Sequence, residues 1–80
     1  MTAKLADTQL WQRNLASLIR SGLFVRADVG ESQGLYTVVG VYGNGTVSAP
    51  LAKYADVRRA TDAAFLANQL AGSERLVEAN

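Results

Sequence analysis

From Leu23 to Leu51 the chain alternates apolar and polar residues and is cut twice by glycine-rich turns, the pattern of a three-stranded antiparallel meander. Strand side chains alternate between two faces, so a register slip of one residue exchanges the buried and solvated sets. Taking Gly30-Glu31-Ser32-Gln33-Gly34 as the first turn pairs Val29 with Leu35. Leu23, Val25, Ala27, Val29, Leu35, Thr37, Val39 and Val41 then share a core face. Phe24, Arg26, Asp28, Tyr36, Val38, Gly40 and Tyr42 share an outer face that is rich in aromatics, and Phe24 lies opposite Gly40.

The second turn, Tyr42-Gly43-Asn44-Gly45-Thr46, admits two registers. A two-residue Asn-Gly loop turns Val47 away from the apolar set. A three-residue Gly-Asn-Gly loop with Gly45 left-handed pairs Val41 with Val47 and Val39 with Ala49, and is the expected form. Pro50 marks the end of an edge strand.

A helix precedes the meander and another follows it. The first runs from about Asp7 or Thr8, either of which can cap it, to Arg20, with Trp11, Leu15, Leu18 and Ile19 on one stripe. Gly22 suits the left-handed position of a Schellman stop. The second starts near Asp56 as N-cap and runs to about Leu70 or Ala71, before Gly72-Ser73. Its Ala60, Ala63, Ala64, Ala67 and Ala71 form a small-residue stripe that lets a helix lie close to a sheet. Phe65 falls on the opposite arc, either packed under Leu76-Val77 or exposed as an anchor.

The expected fold is therefore α+β, in the order helix-strand-strand-strand-helix, with both helices on one face of a three-stranded antiparallel sheet. Eighty residues make one domain, with an ordered core over about 7–71 and frayed ends at 1–6 and 73–80. The start of the chain has no basic flank followed by an apolar stretch, and no run reaches the length of a membrane span. With Cys also absent, the cytoplasm is the expected location and no membrane partner is expected.

Catalysis finds little footing. The chain has neither Cys nor His, which removes the thiolate nucleophile, the commonest general base and the commonest zinc ligands. Asp28 and Glu31 flank a turn, where carboxylates are ordinary. Gly40-Val41-Tyr42-Gly43-Asn44-Gly45 lacks the strand–loop–helix setting and the Lys-Ser/Thr ending of a phosphate loop. No enzyme activity, cofactor or metal is expected. The formal net charge is +1, without the basic excess that phosphate binding normally needs.

Two resemblances bear on function. The element order and the Ala-rich last helix, over Asp7 to Leu70, resemble the double-stranded-RNA-binding domain. That family starts its last helix with a Lys-Lys-x-Ala-Lys run that straddles phosphates. Here Arg58-Arg59-Ala60-Thr61-Asp62 stands in its place, so a carboxylate replaces the third cation, and the Gly30–Gly34 loop lacks the family's Pro and His. In size, composition and architecture the whole chain also resembles small phage- and mobile-element-encoded inhibitors such as the anti-CRISPR proteins. That likeness implies a stoichiometric inhibitor that occludes a surface of a larger complex, without chemistry.

The expectation is thus a protein-binding module whose partner is a protein, with a nucleoprotein complex included. Phe24, Tyr36 and Tyr42 supply apolar contact, Arg26 directional charge, and Asp28, Glu31 and Asn44 a polar rim. The alternatives are direct nucleic-acid binding through Lys53, Arg58 and Arg59, with Phe65 as a neighbouring contact, and a structural homodimer through the aromatic face.

Overall fold

The computed structural model describes residues 8–79, with side chains through residue 72. The elements are α1 (Leu10–Ser21), β1 (Arg26–Ser32), β2 (Leu35–Val41), β3 (Ala52–Tyr54) and α2 (Val57–Ala79). The strands form one antiparallel sheet in the order β1-β2-β3. This is the α+β architecture and element order read from the sequence.

The register of the first hairpin differs from expectation, and the faces change with it. Ser32 pairs with Leu35 and Val29 with Val38, so the turn is the two residues Gln33-Gly34. Both have positive φ, 54° and 79°, as a type I′ turn requires. That turn matches the right-handed twist of its strands, and it extends the ladder through Gly30, Glu31 and Ser32. The offset from the five-residue turn is an odd number of residues. β1 therefore keeps its expected faces while β2 is inverted.

On the helix side, Ala27 and Val38 join Leu15, Ala16 and Ile19 of α1 and the five alanines of α2 in one buried cluster. Val29, Tyr36, Tyr42, Ala52 and Tyr54 pack against it. Thr37, Val39 and Val41 alternate to the other side of β2 and are buried outside that cluster. Inverting β2 trades Leu35, Thr37, Val39 and Val41 for Tyr36, Val38 and Tyr42 against the helices. The larger ring area favours this arrangement.

Phe24 reaches the core through a bulge. The Val25 N–H donates to the Val41 carbonyl at 2.7 Å, while Arg26 is the ladder partner of the same Val41. Two residues thus face one, which flips the alternation and turns Phe24 inward, 4% exposed. Its ring covers Gly40, as expected from sequence, but on the buried side. A Cβ on Gly40 would lie 2.6–2.7 Å from three carbons of that ring. Phe24 also meets Tyr42 at 4.9 Å between centroids, tilted by 53°.

Pro50 reshapes the second hairpin. The three-residue loop is present: Tyr42 N–H donates to the Thr46 carbonyl at 2.8 Å, Val41 pairs with Val47, and Gly45 has φ 92°. The expected Val39–Ala49 pairing does not follow. Pro50 has no N–H for the Val38 carbonyl, so Leu51 donates instead, at 2.9 Å. The chain bulges over Ser48–Leu51, the ladder resumes two residues later, and Val38 pairs with Ala52. The Ser48 hydroxyl accepts from the Gly40 N–H at 3.0 Å and so replaces a ladder bond.

The helix ends follow local chemistry. α1 is capped by Gln9 rather than Thr8, and Asp7 lies outside the described residues. The Gln9 N–H donates to Gln12 Oε1 at 2.7 Å, and Gln12 Nε2 donates to the Ala63 carbonyl at 3.2 Å. The buried stripe of α1 is thus Gln12, Leu15, Ala16 and Ile19, with Leu18 exposed, and Gln12 ties α1 to α2. At the other end Gly22 has φ 94°. Its N–H bonds the Ile19 carbonyl and that of Leu23 bonds Leu18, which completes the Schellman stop.

Asp56 caps α2 as expected, its Oδ1 accepting from the Arg58 N–H at 2.9 Å. The helix then continues through Gly72 to Ala79 instead of stopping near Ala71. One glycine costs a helix only about 1 kcal/mol, too little to end it. Any packing of Phe65 under Leu76-Val77 falls outside the described side chains.

Gly40→Ala is expected to lower unfolding stability by about 1–3 kcal/mol, because a rigid ring occupies the space the methyl needs. Urea denaturation with an unchanged m-value is the check; stability equal to the parent would mean the ring does not cover Gly40.

Candidate protein-interaction surface

The inverted β2 gives the sheet a side that is aliphatic rather than aromatic and that, among the described residues, carries no helix. Three rows cross it. Val25 and Arg26 face Val41, which faces Val47; Asp28 faces Val39; Gly30 faces Thr37, which faces Lys53. Thr37 leans across β1, its Oγ1 3.1 Å from where a Cβ on Gly30 would sit. Val39 and Val41 form a buried floor, while Val25 and Val47 stand 54% and 56% exposed at its two sides. Leu35 at the hairpin end and Leu51 along the β3 edge are exposed as well.

The residues expected to form an aromatic contact surface separate. Phe24 is in the core, and Tyr36 and Tyr42 are half-buried against it, so these three do not form an outer face. Arg26 and Asp28 do lie on the outer face, exposed, with Nη2 to Oδ2 at 3.5 Å. Glu31 sits at the hairpin end opposite Tyr36. Asn44 serves its own turn, Oδ1 accepting from the Thr46 N–H at 3.0 Å and from the Thr46 hydroxyl at 2.7 Å.

The second group of expected contacts also divides. Lys53 joins the outer sheet face across from Thr37. Arg58 and Arg59 are exposed in the first turn of α2. Phe65 is exposed, which decides between its two readings in favour of a solvent-facing ring.

Both sheet edges carry features that hinder strand addition. On β1, the Asn68 side chain lies against the backbone of Ala27: Oδ1 accepts from its N–H at 2.7 Å and Nδ2 donates to its carbonyl at 3.1 Å. A side-chain amide thus stands where another strand's peptide group would pair. The next outward N–H, that of Val29, donates to Asp28 Oδ1 at 2.8 Å. On the opposite edge Pro50, the bulge after Ser48 and Lys53 interrupt any regular row of donors.

Sequence reasoning missed Val25, Val47 and Asn68. Val25 was masked by the bulge that sets it beside Arg26, and Val47 by the inverted parity of β2. Asn68 lies in the helix between Ala67 and Ala71, and an amide bordering the small-residue stripe was the available signal. Among the described residues no cluster of three or more acidic side chains could hold a metal, and no helix is long and apolar enough to cross a membrane. Comparison with protein-family models, curated sequences and solved structures gives no match.

Asn68→Ala is expected to cost about 2 kcal/mol, since it strips two hydrogen bonds from the partly buried backbone of Ala27. Amide exchange at Ala27 is expected to accelerate more than exchange at Val38. Equal acceleration at both would mean that the contact does not protect the edge locally.

Proposed function

We propose that this chain is a non-catalytic protein-interaction module that acts by occupying a partner's surface, in the manner of a stoichiometric inhibitor of a larger complex. The observation that carries the reading is the aliphatic sheet face bordered by exposed Val25 and Val47. Exposed apolar residues grouped on one face, with charged neighbours at the rim, are the composition of a docking surface. The occupied Ala27 and Val29 N–H groups on the β1 edge favour face-on docking there, and the net charge of +1 favours a protein surface over a phosphate backbone. For a nucleoprotein target, the surface covered is a protein one.

Direct nucleic-acid binding through Lys53, Arg58 and Arg59 is the second reading. It is favoured by two exposed cations in the first turn of α2, where the helix dipole disfavours positive charge.

Capture from an extract of the native cells separates the two. Replacing Val25 and Val47 together by Lys is expected to reduce capture of the partner at least tenfold while leaving the circular dichroism spectrum unchanged. Capture that survives those changes, but fails in Arg58→Ala/Arg59→Ala together with a salt-sensitive RNA or DNA mobility shift, would establish the second reading instead.

A further inference from the structure

We infer that the same sheet face also takes a second copy of this chain, so that the free protein associates face to face through β1 and β2. The inference rests on the reading above that this face docks protein, and it adds self-complementarity. Arg26 and Asp28 are successive outward residues on β1, both about half exposed and of opposite charge. Beside them on β2 lie Val41 and Val39, their respective ladder partners.

A two-fold axis crossing the strands midway between these rows sets Arg26 of one copy over Asp28 of the other. One axis thus satisfies the charges of both copies, as an isologous interface requires. Moving the axis by half a row sets Asp28 over Asp28, so the charges also disfavour that register.

The size of the face limits the strength. Strands about 4.8 Å apart, two of them seven residues long at about 3.4 Å each and β3 only three, give a patch of at most roughly 14 by 24 Å. That falls below the area of a standard stable interface, so the association is weak and concentration-dependent. Much of it comes from covering Val25 and Val47, since Val39 and Val41 are already largely buried.

The test is sedimentation equilibrium on the whole chain from micromolar to near-millimolar concentration, for the parent, Arg26→Asp, Asp28→Arg and an equimolar mixture of the two variants. The intrachain pair is solvent-exposed, so its loss costs little and both variants are expected to fold, as checked by circular dichroism. The parent mass is expected to rise with concentration. Each variant alone, facing like charge with like, is expected to associate at least about tenfold more weakly, and the mixture is expected to recover.

A parent that stays monomeric throughout, or single variants that associate as well as the parent, would overturn the inference. If the parent stays monomeric while Val25→Lys/Val47→Lys still abolishes partner capture, self-association fails and the docking reading stands.

Discussion

Which side chains of β2 meet the helices is decided by the two-residue turn at Gln33-Gly34, and most of the molecule follows from that parity. With Ser32 against Leu35, the rings of Tyr36 and Tyr42 and the side chain of Val38 face α1 and α2. A bulge at Val25 then brings Phe24 to the same side, and Gly40 leaves room for its ring. These features depend on one another. A strand without the bulge would send Phe24 outward, and a side chain at position 40 would exclude it. The turn holds a non-glycine residue at φ 54°, a strain offset by the apolar area the register buries.

The helix layer is built for closeness rather than bulk. Five buried alanines bring α2 down onto the sheet, but alanine buries little area, so apolar contact fixes the position of the helix only loosely. Directional polar contacts supply what the alanines lack. Gln12 bonds the Ala63 carbonyl and sets α1 against α2, while Asn68 grips both backbone groups of Ala27 and sets α2 against β1. An unmet donor or acceptor in such a place is expensive, so each contact specifies geometry beyond its own modest strength. The Asn68 contact also hinders pairing along an edge that would otherwise invite it.

Much of this was legible in the residues. The element order, the Gly22 stop, the Asp56 cap, the three-residue second loop with left-handed Gly45, and the alanine stripe all carry local signals. The parity of β2 did not. Gly30 and Gly34 read as the two ends of a loop, yet Gly30 is a mid-strand residue under the Thr37 side chain. Gln33 is not a residue type that announces positive φ. The effect of Pro50 was visible only as an end, because its missing N–H matters through the carbonyl of Val38 on a neighbouring strand. The expected contact surface rested on β2 parity and moved with it. Arg26 and Asp28 stayed outside because β1 kept its faces, and the rings went in.

The functional account needs an aliphatic sheet face bordered by Val25 and Val47, and that face exists only in this register. In the ladder, Ala27 and Val29 turn their outward N–H groups to Asn68 and Asp28, so Ala27–Gly40 and Val29–Val38 are non-hydrogen-bonded pairs. Such pairs bring opposing Cα atoms to about 4.5 Å, close enough for strong Hα–Hα nuclear Overhauser effects. The most direct measurement is that spectrum in solution. Cross-peaks between Val29 and Val38 and between Ala27 and Gly40 are the expected result. A cross-peak joining Val29 to Leu35 would restore the five-residue turn, return the rings to the surface and contradict the account.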